Sequence, residues 1–411
     1  MMLKLRRAIV LEADPSVRGE QGLVIELLDP GKGGGQAVGG GNGNGRRVEV
    51  VQRAAIADIA LVGRAEVGDE VVVNVQALDL DLGSGGFDVV HVNLTRGLAG
   101  EGVHGAHVMK LNYTSLQHAV EPVEDEHLTL PVERPVAVLA LHGQLAAVAW
   151  AFAQASPGGR LGYVQTGGGA LPGGHSQTVR ALRERELLAG HLTAGPAFGG
   201  EGEALTTVGA LHHGLQSLGW DAAVCGPGPG IVGSSSPLGH GGIAALDSAH
   251  AALALGCPTL LVARMSSGDS RARHRGISHH TLTVLDLLLE PVTVALPAGM
   301  RSPVGADLRA GLGAVFGGSM PSRPIRDRPA LKLDVERPVR ITRHDWRRAV
   351  VDLPAYAAAG LPAATMGRSL IEDPLFFGAA LAGGGALAEL VEQHGQDQPV
   401  GVGEDGIGPQ R

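Results

Sequence analysis

Aromatic residues and cysteine are scarce in this sequence, and each shortage narrows what the protein can be. Aromatic side chains make up 3% of the 411 residues, so the core has to be built from Ala, Val and Leu. The two cysteines, Cys225 and Cys257, are too few for a disulfide framework and fit a reducing compartment. We therefore predict a cytoplasmic protein whose helices and strands pack closely through small side chains.

Long apolar runs and an excess of positive charge are missing as well. No window approaches the ~20 uninterrupted apolar residues of a membrane span, and the segment before Glu12 lacks the apolar stretch of a signal peptide. The formal net charge is −8 at pH 7, which is opposite in sign to a surface that coats nucleic acid. We therefore expect neither a membrane nor a nucleic acid as a partner, and any basic binding site has to be local.

Residues 1–95 contain short β-branched segments separated by turn signals, which predict a small β-barrel. A glycine-rich segment, residues 31–45, lies between two of these strands. We interpret it as a loop insertion rather than a phosphate cradle, because it lacks a Lys-Ser/Thr ending and no helix follows it. The barrel strands are predicted at residues 8–11, 23–28, 48–51, 70–75 and 87–92.

Residues 135–300 alternate apolar strands with helices, which predicts a Rossmann-like α/β domain. The strands are continuous apolar runs, as in strands buried on both faces, and the helices end near Gly219 and Gly256, where a left-handed cap is easiest. This spacing predicts a mostly parallel sheet with helices on both faces. Six strands are expected, at residues 135–140, 161–165, 192–194, 221–225, 259–263 and 292–296.

The other segments are less regular. Residues 96–134 are expected to connect the two domains, and residues 301–394 to form a mixed C-terminal segment that packs on them. Within that segment we predict strands at 331–335 and 339–342, and helices at 345–351 and 369–392 with a break at Pro374. The Gly/Pro-rich residues 395–411 are expected to be a disordered tail.

The loops that follow the predicted strands are long and rich in Gly and Ser, whereas those on the opposite edge are short turns. Right-handed crossovers place all loops that follow strands at one edge of a parallel sheet, and ligands of open α/β proteins bind there. The long loops begin at Thr166, Gly195, Gly226 and Ser266. The sequence therefore predicts a ligand site at this edge.

The loop after the fifth strand carries Arg271, Arg273 and Arg275, followed by Ser278 at a predicted helix start. Guanidinium forks suit carboxylate or phosphate, and a capped helix start offers free N–H groups and a positive dipole end. We therefore predict that this loop binds a small anion. A solvated basic loop is the alternative interpretation.

The same loop holds candidates for proton transfer. His279 or His280 is predicted as the acid/base, and Asp269 as the carboxylate that orients it. Either histidine would also be the first choice for a metal ligand. The spacing of His274, His279 and His280 differs from that of zinc peptidases, and no cysteine accompanies them, so we predict no metal. The sequence leaves open whether the protein is an enzyme and which cofactor it uses.

Two glycine-rich loops are further candidates. Gly228, Gly230 and Gly233 could bring a backbone close to a phosphate, although a rigid turn explains them equally well and prolines interrupt any dinucleotide fingerprint. Gly168 and Ser176 lie in the loop after the second strand. Ser176 next to a histidine is a conceivable nucleophile, but a helix cap is the favoured role.

Five segments resemble the recurrent motifs of an uncharacterised bacterial family catalogued as a domain of unknown function. The resemblance covers most of the chain except residues 31–45 and the tail. It implies a bacterial protein and brings no activity with it. The segments are Met109–Thr114, Gly169–Pro172, Gly228–Gly233, His274–Thr281 and Glu372–Phe377.

Three hypotheses follow from the sequence. In the first, a cytoplasmic protein binds a small anionic ligand, for example a phosphorylated compound, at the loops after the parallel strands, with or without catalysis. In the second, the protein is a non-catalytic interaction or scaffold protein whose β-barrel binds a partner. In the third, the barrel and the C-terminal segment serve mainly to form a homodimer.

Overall fold

A computed structural model describes residues 2–15, 19–28, 51–80, 86–169, 172–234, 236–301 and 343–397 of the chain. The chain divides into two compact units, Met1–Glu121 and Pro122–Arg411. The predicted loop insertion, the strands predicted at 331–335 and 339–342, and most of the predicted tail lie outside the described residues.

The first unit contains the predicted β-barrel. Its five strands close in the order β1-β2-β3-β5-β4, with β3 parallel to β5 and the other pairs antiparallel. Alternate apolar side chains fill the interior, among them Val10, Ile25 and Val73, as the two-residue period of a strand requires. The elements of this unit are β1 (Leu5–Ala13), β2 (Glu20–Leu27), β3 (Val51–Asp58), α1 (Ile59–Val62), β4 (Glu70–Asn74), α2 (Gln76–Asp79), β5 (Asp88–Asn93), β6 (Val108–Lys110) and β7 (His118–Val120).

The second unit is built on an eight-stranded sheet in which every described pairing is parallel. The strand order is β11-β10-β9-β12-β8-β13-β16-β17, and all six predicted strands are present. The strands are β8 (Val136–Val138), β9 (Leu161–Thr166), β10 (Gly190–Ala194), β11 (Gly202–Ala204), β12 (Ala222–Pro227), β13 (Thr259–Leu261), β16 (Thr293–Arg301) and β17 (Asp345–Asp352), and two small hairpins add β14 (Met265–Ser266), β15 (Gly276–Ile277), β18 (Ala364–Thr365) and β19 (Arg368–Ser369).

The prediction of a helix at residues 345–351 is wrong, because this segment is strand β17. It pairs with β16 over almost its whole length, from Thr293 opposite Asp345 to Ala298 opposite Val350. The short apolar spacing of the segment was compatible with a helix. An unpaired edge on β16 outweighs that local preference, since β propensity depends mainly on the neighbouring strand.

Helices cover both faces of the sheet, as predicted. Alternate residues of β12 belong to opposite cores: Ala223 and Cys225 to one, Ala222 and Val224 to the other. Helices α5, α6 and α7 cover the first face, and α3, α4, α8 and α9 the second. The helices are α3 (Leu145–Ala155), α4 (Gln177–Glu184), α5 (Thr207–His212), which continues as a π-helical turn (His213–Ser217), α6 (Ala244–Ala254), α7 (His279–Leu287), α8 (Leu353–Ala358) and α9 (Pro374–Asp397).

Helix α9 is apolar and long enough to cross a membrane by composition, but 78% of its most apolar window is buried inside the protein. It packs along α3 and β16, where Phe377 and Leu387 are fully buried. Such burial is typical of the core helix of a soluble protein. The cytoplasmic location stays a prediction.

Candidate functional site

The strands of the second unit end side by side at one edge of the sheet. Thr166 at the end of β9 lies opposite Pro227 at the end of β12, and β12 and β13 flank β8 through Val138. The chain leaves β8 towards α3 on one face and leaves neighbouring β13 towards α7 on the other. In open α/β proteins ligands bind outside strand ends that are continued in opposite directions, and we call this region between the loops the crevice.

Glycines allow the loops at this edge to touch backbone to backbone. A Cβ atom on Gly168 would lie 2.6 Å from the carbonyl oxygen of Gly241, and one on Gly169 would overlap the carbonyl oxygen of Gly228. Gly168 also has a φ of +105°, which side chains rarely adopt. Packing between the loops after β9 and β12 therefore requires these glycines.

Four histidines from the loops that follow β12 and β13 meet, and we call them the histidine cluster: His240, His274, His279 and His280. His240 comes from the loop before α6, and the other three from the loop before α7 and its first turn. All four are buried. The rings of His240 and His280 are stacked with centroids 3.3 Å apart, and those of His279 and His280 are 4.1 Å apart.

The histidine cluster is electrically neutral at neutral pH. Burial, and after it the positive charge of nearby guanidinium groups, lower the pKa of His240 and of His279 to about 4 and that of His274 to about 3. Arg264 donates from Nη1 to Nδ1 of His280 over 2.7 Å. Charged imidazolium is disfavoured by burial and by like charge alike.

Several buried polar atoms of the histidine cluster and of the neighbouring Arg264 are not hydrogen-bonded within the part of the chain that the structure describes. They are both ring nitrogens of His240, Nε2 of His279 and Nε of Arg264. Buried polar groups are nearly always paired in folded proteins, and an unpaired group costs about 1–3 kcal/mol. Their convergence in one crevice indicates a place for a ligand.

A sequence model of a protein family, described as a protein of unknown function (DUF3866), matches residues 54–384. The chain belongs to the DUF3866 family. The match begins within β3 and includes the later barrel strands and the loops that carry the histidine cluster. Comparison with curated proteins and with solved structures found no match. The resemblance seen in the sequence is therefore confirmed at the level of the family, and the bacterial origin stays a prediction.

Asp269 of this DUF3866 chain lies buried at the centre of a set of arginines. Arg271 donates to it twice, from Nε and Nη2, each over 2.9 Å. Arg264 and Arg368 lie 3.7 and 3.6 Å from its Oδ2 atom. The hydrogen bonds from Arg271 hold the pKa of Asp269 well below its usual range. The carboxylate is therefore charged and positions guanidinium groups.

The other predicted residues of this loop take different positions. Ser278 caps α7, as predicted, by accepting from the N–H of His280, and its Oγ lies 2.9 Å from Nδ1 of His274. The three predicted arginines are exposed. Arg275 donates from Nε to the carbonyl oxygen of Asp269, and Arg273 lies 3.4 Å from Nε2 of His274.

Three residues of the site were missed by sequence reasoning: Arg264, His240 and Asp373. Asp373 is buried and accepts from Ser266 Oγ over 2.6 Å and from Arg368 Nε over 3.0 Å. Each had a local signal. Arg264 is a charge directly after an apolar strand, His240 directly precedes a glycine pair at a helix start, and Asp373 directly precedes Pro374.

The remaining predicted residues lie in the neighbouring loops. Gly228 is pressed against Gln165, and a Cβ on Gly233 would lie 3.1 Å from that of His240. Gly230 has a φ of +84°. These three glycines shape the loop that carries His240, and their role in binding a ligand stays a prediction.

Ser176 caps α4 by accepting from the N–H of Val179, which is the favoured prediction. Its Oγ also lies 2.8 Å from Nε2 of His142, whose Nδ1 lies 3.2 Å from the Tyr163 hydroxyl. Tyr163 donates in turn to the carbonyl oxygen of Pro227. We call Ser176, His142 and Tyr163 the serine–histidine network.

Proposed function

We propose that this DUF3866 protein binds a small anionic ligand, for example a phosphorylated compound, in the crevice that contains the histidine cluster and Arg264. The observation that carries the proposal is the Arg264 side chain. It is 3% exposed, and its Nε lacks a hydrogen-bond partner among the described residues. A buried guanidinium with an open N–H is satisfied by an anion, which recovers both the charge and the hydrogen bond.

The local balance of charge supports an anion rather than a neutral ligand. Five arginines lie on or against the same loop, together with two buried carboxylates. Asp269 is paired with three of the arginines and Asp373 with one of those three. The N-terminus of α7 adds the positive end of a helix dipole beside His279. The five arginines are Arg264, Arg271, Arg273, Arg275 and Arg368.

Catalysis at this site is a second part of the proposal. His279 or His280 serves as the acid/base, and Asp269 orients the arginines that hold the ligand. An anion bound beside these rings would raise their pKa values, because opposite charge favours imidazolium. Ligand binding would thus bring a histidine whose pKa is about 4 closer to the range useful for proton transfer.

The experiment is a titration of the full-length protein with inorganic phosphate and pyrophosphate, followed by thermal unfolding. Binding to the folded state raises the melting temperature with ligand concentration. We expect this shift in the wild type and its loss in Arg264→Gln and Arg368→Gln. Arg347→Gln, which removes an arginine paired with Asp345 on β17, is the matched control and should keep it.

Two outcomes overturn the proposal. One is a folded Arg264→Gln variant whose melting temperature responds to phosphate as the wild type does. The other is a wild type that responds to no phosphorylated compound, carboxylate or sulfate in a panel of small anions.

A further inference from the structure

Three histidines of the cluster bring their ring nitrogens together as metal ligands do. One nitrogen from each of His274, His279 and His280 lies within 4.8 Å of the others, and all three side chains are buried. Each Zn–N bond is about 2.0–2.1 Å long, so two donors on one ion lie at most about 4.2 Å apart. A spacing of up to 4.8 Å therefore requires only a small inward movement of the rings on binding.

The open hydrogen bonds point to the same conclusion independently. Nε2 of His279 and both nitrogens of neighbouring His240 have no partner within the described ranges. A histidine that serves only to fill a core has its ring nitrogens hydrogen-bonded. Here four rings crowd together while three of their nitrogens, two on His240 and one on His279, stay unpaired, and a cation accepts a lone pair that no protein donor reaches.

We propose that His274, His279 and His280 bind one divalent transition-metal ion of the zinc class, with His240 stacked on His280 as the adjoining wall of the site. Imidazole donors without thiolates select zinc, cobalt, nickel or copper rather than magnesium or calcium, which prefer oxygen. This inference goes beyond the proposed anion binding and does not depend on it, and it replaces the acid/base role of His279 or His280, because a metal-bound ring nitrogen has no free lone pair. It replaces the sequence-based expectation of no metal.

Neutral rings are the form that a metal requires, because protonated imidazole has no free lone pair. Burial keeps the pKa of His274 at about 3 and that of His279 at about 4, so metal binding at neutral pH displaces few protons. His280 needs one adjustment. Its Nδ1 now accepts from Arg264, which places the ring proton on Nε2. Ligation through Nε2 requires this proton to move to Nδ1, so Arg264 has to release Nδ1.

Ser278 is the residue that orients the first ligand. Its Oγ lies 2.9 Å from Nδ1 of His274, so Nε2 of that ring is the ligating atom, and metal binding displaces the Arg273 Nε that now donates to it over 3.4 Å. Such a partner on the other ring nitrogen fixes the tautomer and orientation of metal-bound histidines. Ser278 therefore connects the N-cap of α7 to the metal site.

The test measures metal binding by the full chain rather than activity. Protein stripped with a chelator is titrated calorimetrically with zinc, and its bound metal is measured after dialysis. We expect about one equivalent per chain, as a tetrahedral or five-coordinate histidine site would hold. His274→Gln and His279→Gln should each lose at least ten-fold in affinity. His127→Gln, which removes an exposed histidine, should not.

Cobalt gives a second readout that does not depend on any variant folding. Its visible absorption in the wild type should show a low-coordinate nitrogen site, and X-ray absorption of the zinc form should show imidazole scattering.

The proposal is overturned if zinc binds at several weak sites that His127→Gln reduces as much as His279→Gln does. It is also overturned if the zinc form shows no imidazole scattering. Loss of phosphate binding in Arg264→Gln with zinc binding retained would support the anion proposal and leave this inference standing. Retained phosphate binding in that variant would overturn the anion proposal alone.

Discussion

Two buried polar groups, one with a single histidine and one with four, lie at the same edge of the sheet, on opposite faces, and differ in their hydrogen bonds. In the serine–histidine network, both ring nitrogens of His142 have partners, Ser176 and Tyr163. In the histidine cluster, both ring nitrogens of His240 lack one within the described chain. Burial lowers the pKa of His142 and of His240 alike, to about 4, so burial is not what separates the groups.

This difference in hydrogen bonding indicates a different role for each group. A closed network stabilises the fold, because every polar group that it buries is paired. An open cluster reduces the stability of the free protein, and a ligand that satisfies its atoms recovers that loss. Tyr163 shows the first case: its hydroxyl joins the start of α3 to the end of β12 through His142 and Pro227.

The largest expected effect is acid destabilisation of the chelator-treated protein. The folded-state pKa of His142, His240 and His279 is about 4, against an ordinary value of 6.5. Between these values the unfolded chain binds more protons than the folded chain, so stability falls as pH falls. The slope reaches about 1.4 kcal/mol per pH unit for each histidine.

Urea unfolding at several pH values between about 7 and 4 measures this slope. The double variant His240→Ala, His279→Ala should reduce the slope by the part due to these two rings and leave the part due to His142 and the other buried histidines. An unchanged slope in the double variant would mean that the open cluster is not buried in solution as it is in the structure.

The next effect is the loss of the closed network. His142→Ala removes a buried ring and leaves the Ser176 and Tyr163 hydroxyls each short of a partner, so we expect destabilisation by about 3 kcal/mol at neutral pH. Urea unfolding measures it. A loss below about 1 kcal/mol would show that water replaces the ring and that the network is not needed for stability.

The matched change in the open cluster should cost less. His240→Ala breaks no hydrogen bond among the described residues and loses only packing against His280, so we expect about 1 kcal/mol or less. The difference between this variant and His142→Ala tests the comparison itself. Equal losses of unfolding free energy in the two variants would mean that the difference in hydrogen bonding does not contribute to stability.

The smallest effect on stability is expected for the exposed Arg273 beside the histidine cluster. Arg273 is exposed and its nearest polar contact is 3.4 Å long, so Arg273→Ala should change the free energy of unfolding by less than about 0.5 kcal/mol. Phosphate binding should weaken more than stability does, because the arginine contributes to the field over the crevice. A loss of stability comparable with that of His142→Ala would place Arg273 in the fold rather than in the site.

Much of the fold could be predicted from the sequence, because each of the six expected strands is a continuous apolar run and each loop follows the crossover rule. Ser278 could be identified as a cap because its partner is two residues away. The contact between His240 and His280 could not, since it depends on β12 and β13 flanking β8. His142 and Ser176 are likewise 34 residues apart, and only strand order brings them together.

Trp220 occupies a slot between glycines: a Cβ on Gly190 would lie 2.8 Å from its ring, and Cβ atoms on Gly162 and Gly214 would overlap it. The sequence has three tryptophans, and all of them, Trp220, Trp150 and Trp346, belong to the second unit. Intrinsic fluorescence therefore reports on the α/β unit and is blind to the barrel. A difference between the unfolding curves measured by fluorescence and by circular dichroism would reveal that the two units unfold separately.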